Sequence, residues 1–186
     1  MEMAQKKIIA IEGPSGVGKD TIIKHLILKN PDKYRKIPSY TNRPMRTNEV
    51  EGFTYHFIDD ETFAQKLESG DIFEHTQRHG TYRGMSKDLI DEIINNGYWA
   101  LKDCDLVGLN ALKGYYGESV FSIFINADKD VVRERLEKRG DIDIAVRLAD
   151  YDTKQSEQPY YDLVITNNGS LEEVINKLNE IIGGLK

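Results

Sequence analysis

One cysteine, Cys104, stands in 186 residues, so an internal disulfide framework is excluded and a reducing compartment, the cytoplasm, is expected. Proline is scarce, at five, and no Pro-, Gly- or Ser-rich tract marks a linker. No apolar run approaches the ~20 residues of a membrane-spanning helix, and the start, MEMAQKKIIAIEG, lacks the apolar core of a secretory signal. Excess basic charge is missing too. Lys+Arg total 25 against 31 for Asp+Glu, a net −6, which disfavours nucleic acid and anionic membranes as partners. With 39% hydrophobic and 30% charged residues, the chain is composed as an ordinary soluble globular protein.

What is present is a rhythm. IIAI at 8–11, YWAL at 98–101, VFSIFI at 120–125 and DLVIT at 162–166 are β-branched or aromatic, short, and not strictly alternating. Strands buried on both faces of a parallel sheet read this way. Helical patterns from Thr21, Ser86, Asp128 and Ser170 lie between them, with Asp128 and Ser170 as N-caps and Gly97, Gly140 and Gly183 as stops. Alternating strands and helices predict an α/β fold with right-handed crossovers. Residues 37–86 break the rhythm, with strand-like FTYHFI and DIFEHT around a helical DETFAQKLESG. They read as a small inserted subdomain in a single domain whose core is 1–36 and 87–186. GDIDIAV at 140–146 has few large side chains and joins two helices; it predicts a mobile lid over about 139–148.

Directly after the first strand come Gly13, Pro14, Ser15, Gly16, Val17, Gly18, Lys19, Asp20 and Thr21, opening into a helix. This is G-x-x-x-x-G-K in its required strand–loop–helix setting. The glycines let backbone N–H groups turn toward phosphate oxygens, the helix start adds its positive dipole end, and Lys19 adds a charge near the β- and γ-phosphates. The residue after the lysine is usually Ser or Thr, whose hydroxyl meets Mg²⁺; here it is Asp20. A carboxylate is a good hard ligand for Mg²⁺, and without metal it repels a triphosphate. Capping of the following helix by Asp20 is the competing reading. Thr21 still offers a hydroxyl to the phosphates.

The inserted region then resembles the GMP-binding part of guanylate kinases. Ser39, Thr41, Arg43, Arg46, Glu49, Gly52, Tyr55 and Phe57 follow that family's spacing, as do Phe63, Glu74, the turn His79-Gly80-Thr81-Tyr82, Ser86 and Lys87. The likeness continues through Asp103, Asp105 and Gly108, then Arg135 to Gly140, and ends at Arg147 and Leu148, so it covers nearly the whole chain in order. It implies a P-loop NTPase-type parallel sheet flanked by helices, an inserted small GMP-binding subdomain and a short lid. It implies guanine contacts from Ser39, Glu74 and Asp105, and phosphate contacts from Arg43, Arg46 and Tyr55. It also implies that Arg139 and Arg147, with Arg135 on the same helix face as Arg139, meet the transferring phosphoryl group when the lid closes.

The chemistry of the residues agrees. Arg43 and Arg46 are three apart and can fork one phosphate, and Tyr55 can add a hydroxyl. Guanine's N1–H and 2-amino group form a donor pair that one carboxylate, Glu74, can accept, while Ser39 can donate to O6; adenine lacks both features. Asp103, at the carboxyl end of its strand, stands where doubly wound sheets place ligand groups. The chain departs from the family at Arg83 and Met85 in place of Tyr and Ser or Thr, at Val107, in a shorter lid, and at Asn168 after Asn167. Arg83 can still bind phosphate.

The expected activity is ATP-dependent phosphorylation of GMP, with dGMP as a further acceptor left open, using ATP and Mg²⁺, in a monomer or homodimer. Two alternatives stand beside it: a kinase resembling ribose 1,5-bisphosphate phosphokinases, and a catalytically silent guanylate-kinase-like binding module. The histidines lack metal-ligand spacing, Cys104 is expected in the core, and phosphoryl transfer requires no Ser/His/Asp set or general base.

Overall fold

The computed structural model describes residues 6–185 except Asn48 and His79. His79 of the expected turn therefore lies outside the described residues. Five parallel strands form the main sheet: β1 (Ile8–Glu12), β2 (Tyr34–Lys36), β7 (Trp99–Asp103), β8 (Val120–Asn126) and β9 (Leu163–Thr166). Their order is β2-β7-β1-β8-β9, with β1 central and paired on both sides.

Period-two side-chain alternation divides β1 between two layers. Ile9 and Ile11 face α1 (Lys19–Lys29), α5 (Lys129–Arg139) and α7 (Leu171–Gly184), packing with Ile22, Leu26, Val132, Leu136, Ile175 and Leu178. Ile8 and Ala10 face α3 (Lys87–Asn95) and α4 (Leu106–Tyr116), against Ile90, Leu109 and Leu112. All four β1 residues are fully buried. A sheet covered on both faces is why its strands read as continuous apolar runs.

A second, four-stranded sheet holds β3 (Ser39–Thr41), β4 (Tyr55–Phe57), β5 (Ile72–Arg78) and β6 (Thr81–Ser86), ordered β4-β3-β6-β5. The pairing β3–β4 is parallel and the other two are antiparallel. Helix α2 (Asp60–Glu68) covers it through Phe63, which joins Tyr40, Ile72 and Leu89 in a separate small core. The chain leaves the main sheet after Lys36 and returns by Ser86, the N-cap of α3. Helix α6 (Ile144–Gln155) follows α5.

Local differences from the sequence reading have physical causes. Helix α1 begins at Lys19 rather than Thr21, because Gly18 at φ 98° serves as its N-cap. Asp20 sits in its first turn, and no side chain caps this helix, so the capping reading of Asp20 is set aside. Helix α7 runs through Gly183 to Gly184, and α6 starts at Ile144, inside the stretch expected to be irregular. Strand β2 and helix α4 carry no sequence reading of their own. Among the described residues, no helix is long and apolar enough to cross a membrane.

Candidate functional site

The loop after β1 has Gly13, Gly16 and Gly18 at positive φ. At Gly13 the need is acute: a Cβ there would stand 2.0 Å from the Ile125 carbonyl oxygen. Lys19 turns back over this loop and donates to the carbonyls of Gly13 and, at 3.2 Å, Pro14. Asn167, just after β9, donates its Nδ2 to Val17 O at 2.8 Å, and Arg135 reaches the same oxygen at 3.5 Å. Both side chains thus brace the loop on one side.

The loop faces a cleft of about 450 Å³ lined by Ser15, Gly16, Gly18, Lys19, Asp20, Thr21, Arg135, Arg139, Arg147 and Asn167. Asp141, in the 140–143 connection, receives Arg139 at 2.5 and 2.6 Å and Arg147 Nε at 2.9 Å. The Arg139 hydrogen bonds, and then both arginine charges, hold the Asp141 carboxyl below its ordinary range. Arg147 also donates from Nη1 to Ser15 Oγ at 2.7 Å. Three arginines therefore meet one phosphate loop, an arrangement suited to polyanionic oxygen. Beneath Lys19, Glu12 is 7% exposed; burial raises its carboxyl pKa, while Lys19 and Lys154 draw it back.

A second cavity, about 210 Å³, is lined by Ser39, Tyr55, Glu74, Arg83, Met85, Lys102, Asp103, Cys104 and Asp105. Glu74 reaches it through a register shift between Ile72 and Glu74, a device that re-aims a side chain. Burial and then the neighbouring Asp105 raise the Glu74 pKa, against the pull of Lys102 and His75. Asp105 is the N-cap of α4, its Oδ1 accepting from Gly108 N at 2.9 Å. Gly108 permits this approach, since a Cβ would lie 2.9 Å from Cys104 Cβ and 3.2 Å from Met85 Cε. Cys104 is half-buried, packed against the α3–α4 core layer as expected and also exposed at the cavity wall, and burial pushes its thiol pKa up. The Tyr55 ring lies between two guanidiniums, Arg43 at 4.9 Å and Arg83 at 5.3 Å from its centroid.

Arg43 and Arg46 do not form a joint fork. Arg43 is 9% exposed and bound to both Glu49 oxygens, at 2.7 and 2.5 Å. Arg46 is exposed and gives its backbone N–H to the same carboxylate at 2.8 Å. These contacts, Arg43's first, pull Glu49 down to about 2. Among the described residues neither arginine lines the second cavity.

A third cavity of about 410 Å³ borders both. It shares Asp20 with the phosphate-loop cleft and Tyr55 and Asp103 with the second cavity. Asp103 is paired there with Lys36 at 3.5 Å. Among the described residues no cluster of three or more His, Cys, Asp or Glu could cage a metal. The exposed Asp20 carboxylate at the cleft wall fits Mg²⁺ in its other common form, one protein oxygen with phosphates and waters completing the shell.

Four residues at this site escape the residue-by-residue sequence reading of function: Glu49, Lys102, Asp141 and Asn167. Lys102 had a visible signal, a lysine directly after the apolar run YWAL.

A family-wide sequence description for guanylate kinase matches residues 5–184. The chain is 31% identical over 182 residues to the guanylate kinase of Prochlorococcus marinus subsp. pastoris, covering 95% of this chain and 97% of that one. It is 34% identical over 170 residues to that of Helicobacter hepaticus, covering 89% and 84%. The crystal structure of guanylate kinase from Anaplasma phagocytophilum superposes with a TM-score of 0.70 at 29% identity, over 98% of this chain and 87% of that one.

Proposed function

The chain belongs to the guanylate kinase family, and from that premise we propose that it transfers the γ-phosphoryl group of ATP to GMP. The observation that carries this reading is the adjacency of the two cavities. A cavity walled by Asp20, Tyr55 and Asp103 borders both the phosphate-loop cleft and the pocket walled by Glu74, Asp105 and Ser39. A donor phosphate on one side can therefore meet an acceptor phosphate on the other.

In this reading Gly13, Pro14, Ser15, Gly16, Val17, Gly18 and Thr21 cradle the ATP phosphates, and Lys19 leaves its loop carbonyls for their oxygens. The 37–86 subdomain carries the acceptor. Glu74 accepts the guanine N1–H and 2-amino group, the free oxygen of Asp105 assists, and Ser39 donates to O6. Arg83 and Tyr55 hold the GMP phosphate, Arg46 joins from its exposed loop, and Arg43, paired with Glu49, supports the Tyr55 ring. A GMP phosphate oxygen attacks the γ-phosphorus, the bond to the β–γ bridging oxygen breaks, and ADP leaves with that electron pair. Arg135, Arg139 and Arg147 face the transferring group and stabilise its charge as the lid over 139–148 excludes water; positioning and positive charge suffice for this chemistry. Asp20 would hold Mg²⁺ together with the phosphates, and the bound ion would supply charge neutralisation there.

The test is a coupled ADP-release assay over GMP, dGMP, AMP, CMP, UMP and ribose 1,5-bisphosphate. ADP release with GMP, and with AMP at ~10⁴-fold lower kcat/KM, is expected from a site built on paired buried hydrogen bonds. ADP release with none of them would favour the binding-module alternative.

A further inference from the structure

Lys102 is a lysine only 6% exposed, in a strand whose neighbours Ala100 and Leu101 are fully buried. Burying an ammonium is costly unless it is answered by acceptors and opposite charge. Two acceptors are present: Ser39 Oγ at 2.5 Å and Ile37 O at 3.3 Å. An ammonium has three N–H donors. Among the described residues no acceptor takes the third, and Lys102 lines the acceptor cavity.

We propose that Lys102 is a specificity-determining residue of this pocket, its buried ammonium donating to the carbonyl edge of a 6-oxopurine and so selecting 6-oxo over 6-amino acceptors. The inference rests on the functional reading above and adds a residue to it. Ser39 Oγ accepts from Lys102, so its own hydroxyl hydrogen is left to point elsewhere. Two donors then stand side by side at the pocket wall, one of them charged. A 6-oxopurine presents two acceptors on one edge, O6 and N7, whereas adenine presents an N–H donor at that position. Against such a pair the adenine amino group is repelled and the donor facing position 6 loses its partner, while N7 is an acceptor in both bases.

The opposite wall supports the same assignment. Glu74 and Asp105 are two carboxylates in one small pocket, and the charge of Asp105 adds to burial in disfavouring ionisation of Glu74. Lys102 acts in the other direction on Glu74, favouring its ionised form, which is the form that accepts N–H donors. Burial is the largest influence on Lys102 and lowers its pKa below the ordinary lysine value, while the carboxylates of Asp103 and Glu74 act to raise it. A purine with a carbonyl on one edge and N–H donors on the next matches this ordering of charge across the pocket.

The test compares wild type with Lys102→Met on three acceptors: GMP, IMP and 2-aminopurine riboside 5′-monophosphate. IMP keeps the 6-oxo group and lacks the 2-amino; the third acceptor is the reverse. Lys102→Met is expected to lower kcat/KM about 10- to 100-fold for GMP and IMP, and less than about threefold for the 2-aminopurine nucleotide. An equal fall for all three would assign Lys102 to the scaffold and overturn the proposal, as would no fall at all. A wild-type protein that leaves GMP unphosphorylated defeats the functional reading itself, a result separable from wild-type turnover with unaltered selectivity in the variant. Should Lys102→Met not fold, the lysine ammonium ¹⁵N resonance of wild type serves instead. It is expected to shift with GMP and IMP but not with the 2-aminopurine nucleotide, and a resonance unmoved by GMP would overturn the proposal.

Discussion

Arg147 Nη1 donates to Ser15 Oγ at 2.7 Å, joining the first turn of α6 to the phosphate loop across 132 residues of sequence. The same guanidinium gives its Nε to Asp141 at 2.9 Å, and Asp141 holds Arg139 as well. One lid carboxylate thus keeps two arginines at the mouth of the cleft, and phosphate oxygens can take over the same planar donor faces.

Arg147→Ala is therefore expected to lower kcat by ~10²- to 10³-fold, with KM for GMP changed only a few-fold. Arg147→Lys should restore little, because an ammonium cannot span Ser15 and Asp141 as the planar fork does. Steady-state kinetics with both substrates varied separates the two parameters.

Asn167→Ala removes the Nδ2 hydrogen bond to Val17 O and leaves that buried carbonyl with only the long, 3.5 Å contact from Arg135. The expected cost is about 1–3 kcal/mol of folding stability, read by urea unfolding. Because the bond supports the loop, KM for ATP should rise while KM for GMP stays within about twofold.

Glu74 carries a raised pKa, so it takes up a proton above the ordinary carboxylate range as pH falls. The ionised form accepts guanine's donors, so KM for GMP should rise on acidification before ordinary carboxylates titrate. Glu74→Gln should flatten that rise and cut the preference for GMP over AMP by ~10²-fold or more. The stability sign is opposite. A carboxyl with a raised folded-state pKa opposes folding at pH values above it, and this penalty is relieved as pH falls through it. Glu74→Gln should therefore raise the neutral-pH Tm of the free protein by about 1–2 °C.

Asp20 stands exposed in the first turn of α1, in the phosphate-loop cleft. Removing Mg²⁺ with EDTA leaves its charge facing the triphosphate, so wild type should lose about 10-fold more ATP affinity than Asp20→Ser does. Calorimetric titration of ATP with and without Mg²⁺ measures the difference, and equal losses would remove Asp20 from the metal's shell.

The main sheet was legible because its inner strands are buried on both faces and announce themselves as IIAI, YWAL and VFSIFI, while DLVIT, at the edge with Val164 37% exposed, still reads as a β-branched run. Strand β2 was not: it is three residues, Tyr34-Arg35-Lys36, two of them charged, at the sheet edge. The phosphate loop was legible because its chemistry is local, three positive-φ glycines and a lysine in one short segment. The pairs that organise the site are not local. Lys102 meets Ser39 across 63 residues, Asn167 meets Val17 across 150, and no periodicity in either segment encodes the encounter. The Arg43–Glu49 pair lay within one motif, yet spacing alone does not tell a phosphate fork from an arginine already held by its neighbour.

The central claim is that the Glu74 pocket chooses a guanine acceptor and the phosphate-loop cleft delivers the phosphoryl group to it. Phosphorus NMR of one mixture containing ATP, Mg²⁺, GMP, AMP and ribose 1,5-bisphosphate tests this most directly. The account predicts GDP and ADP accumulating together, with AMP and the sugar bisphosphate untouched until GMP is consumed. Unchanged GMP beside growing phosphoribosyl diphosphate would contradict it.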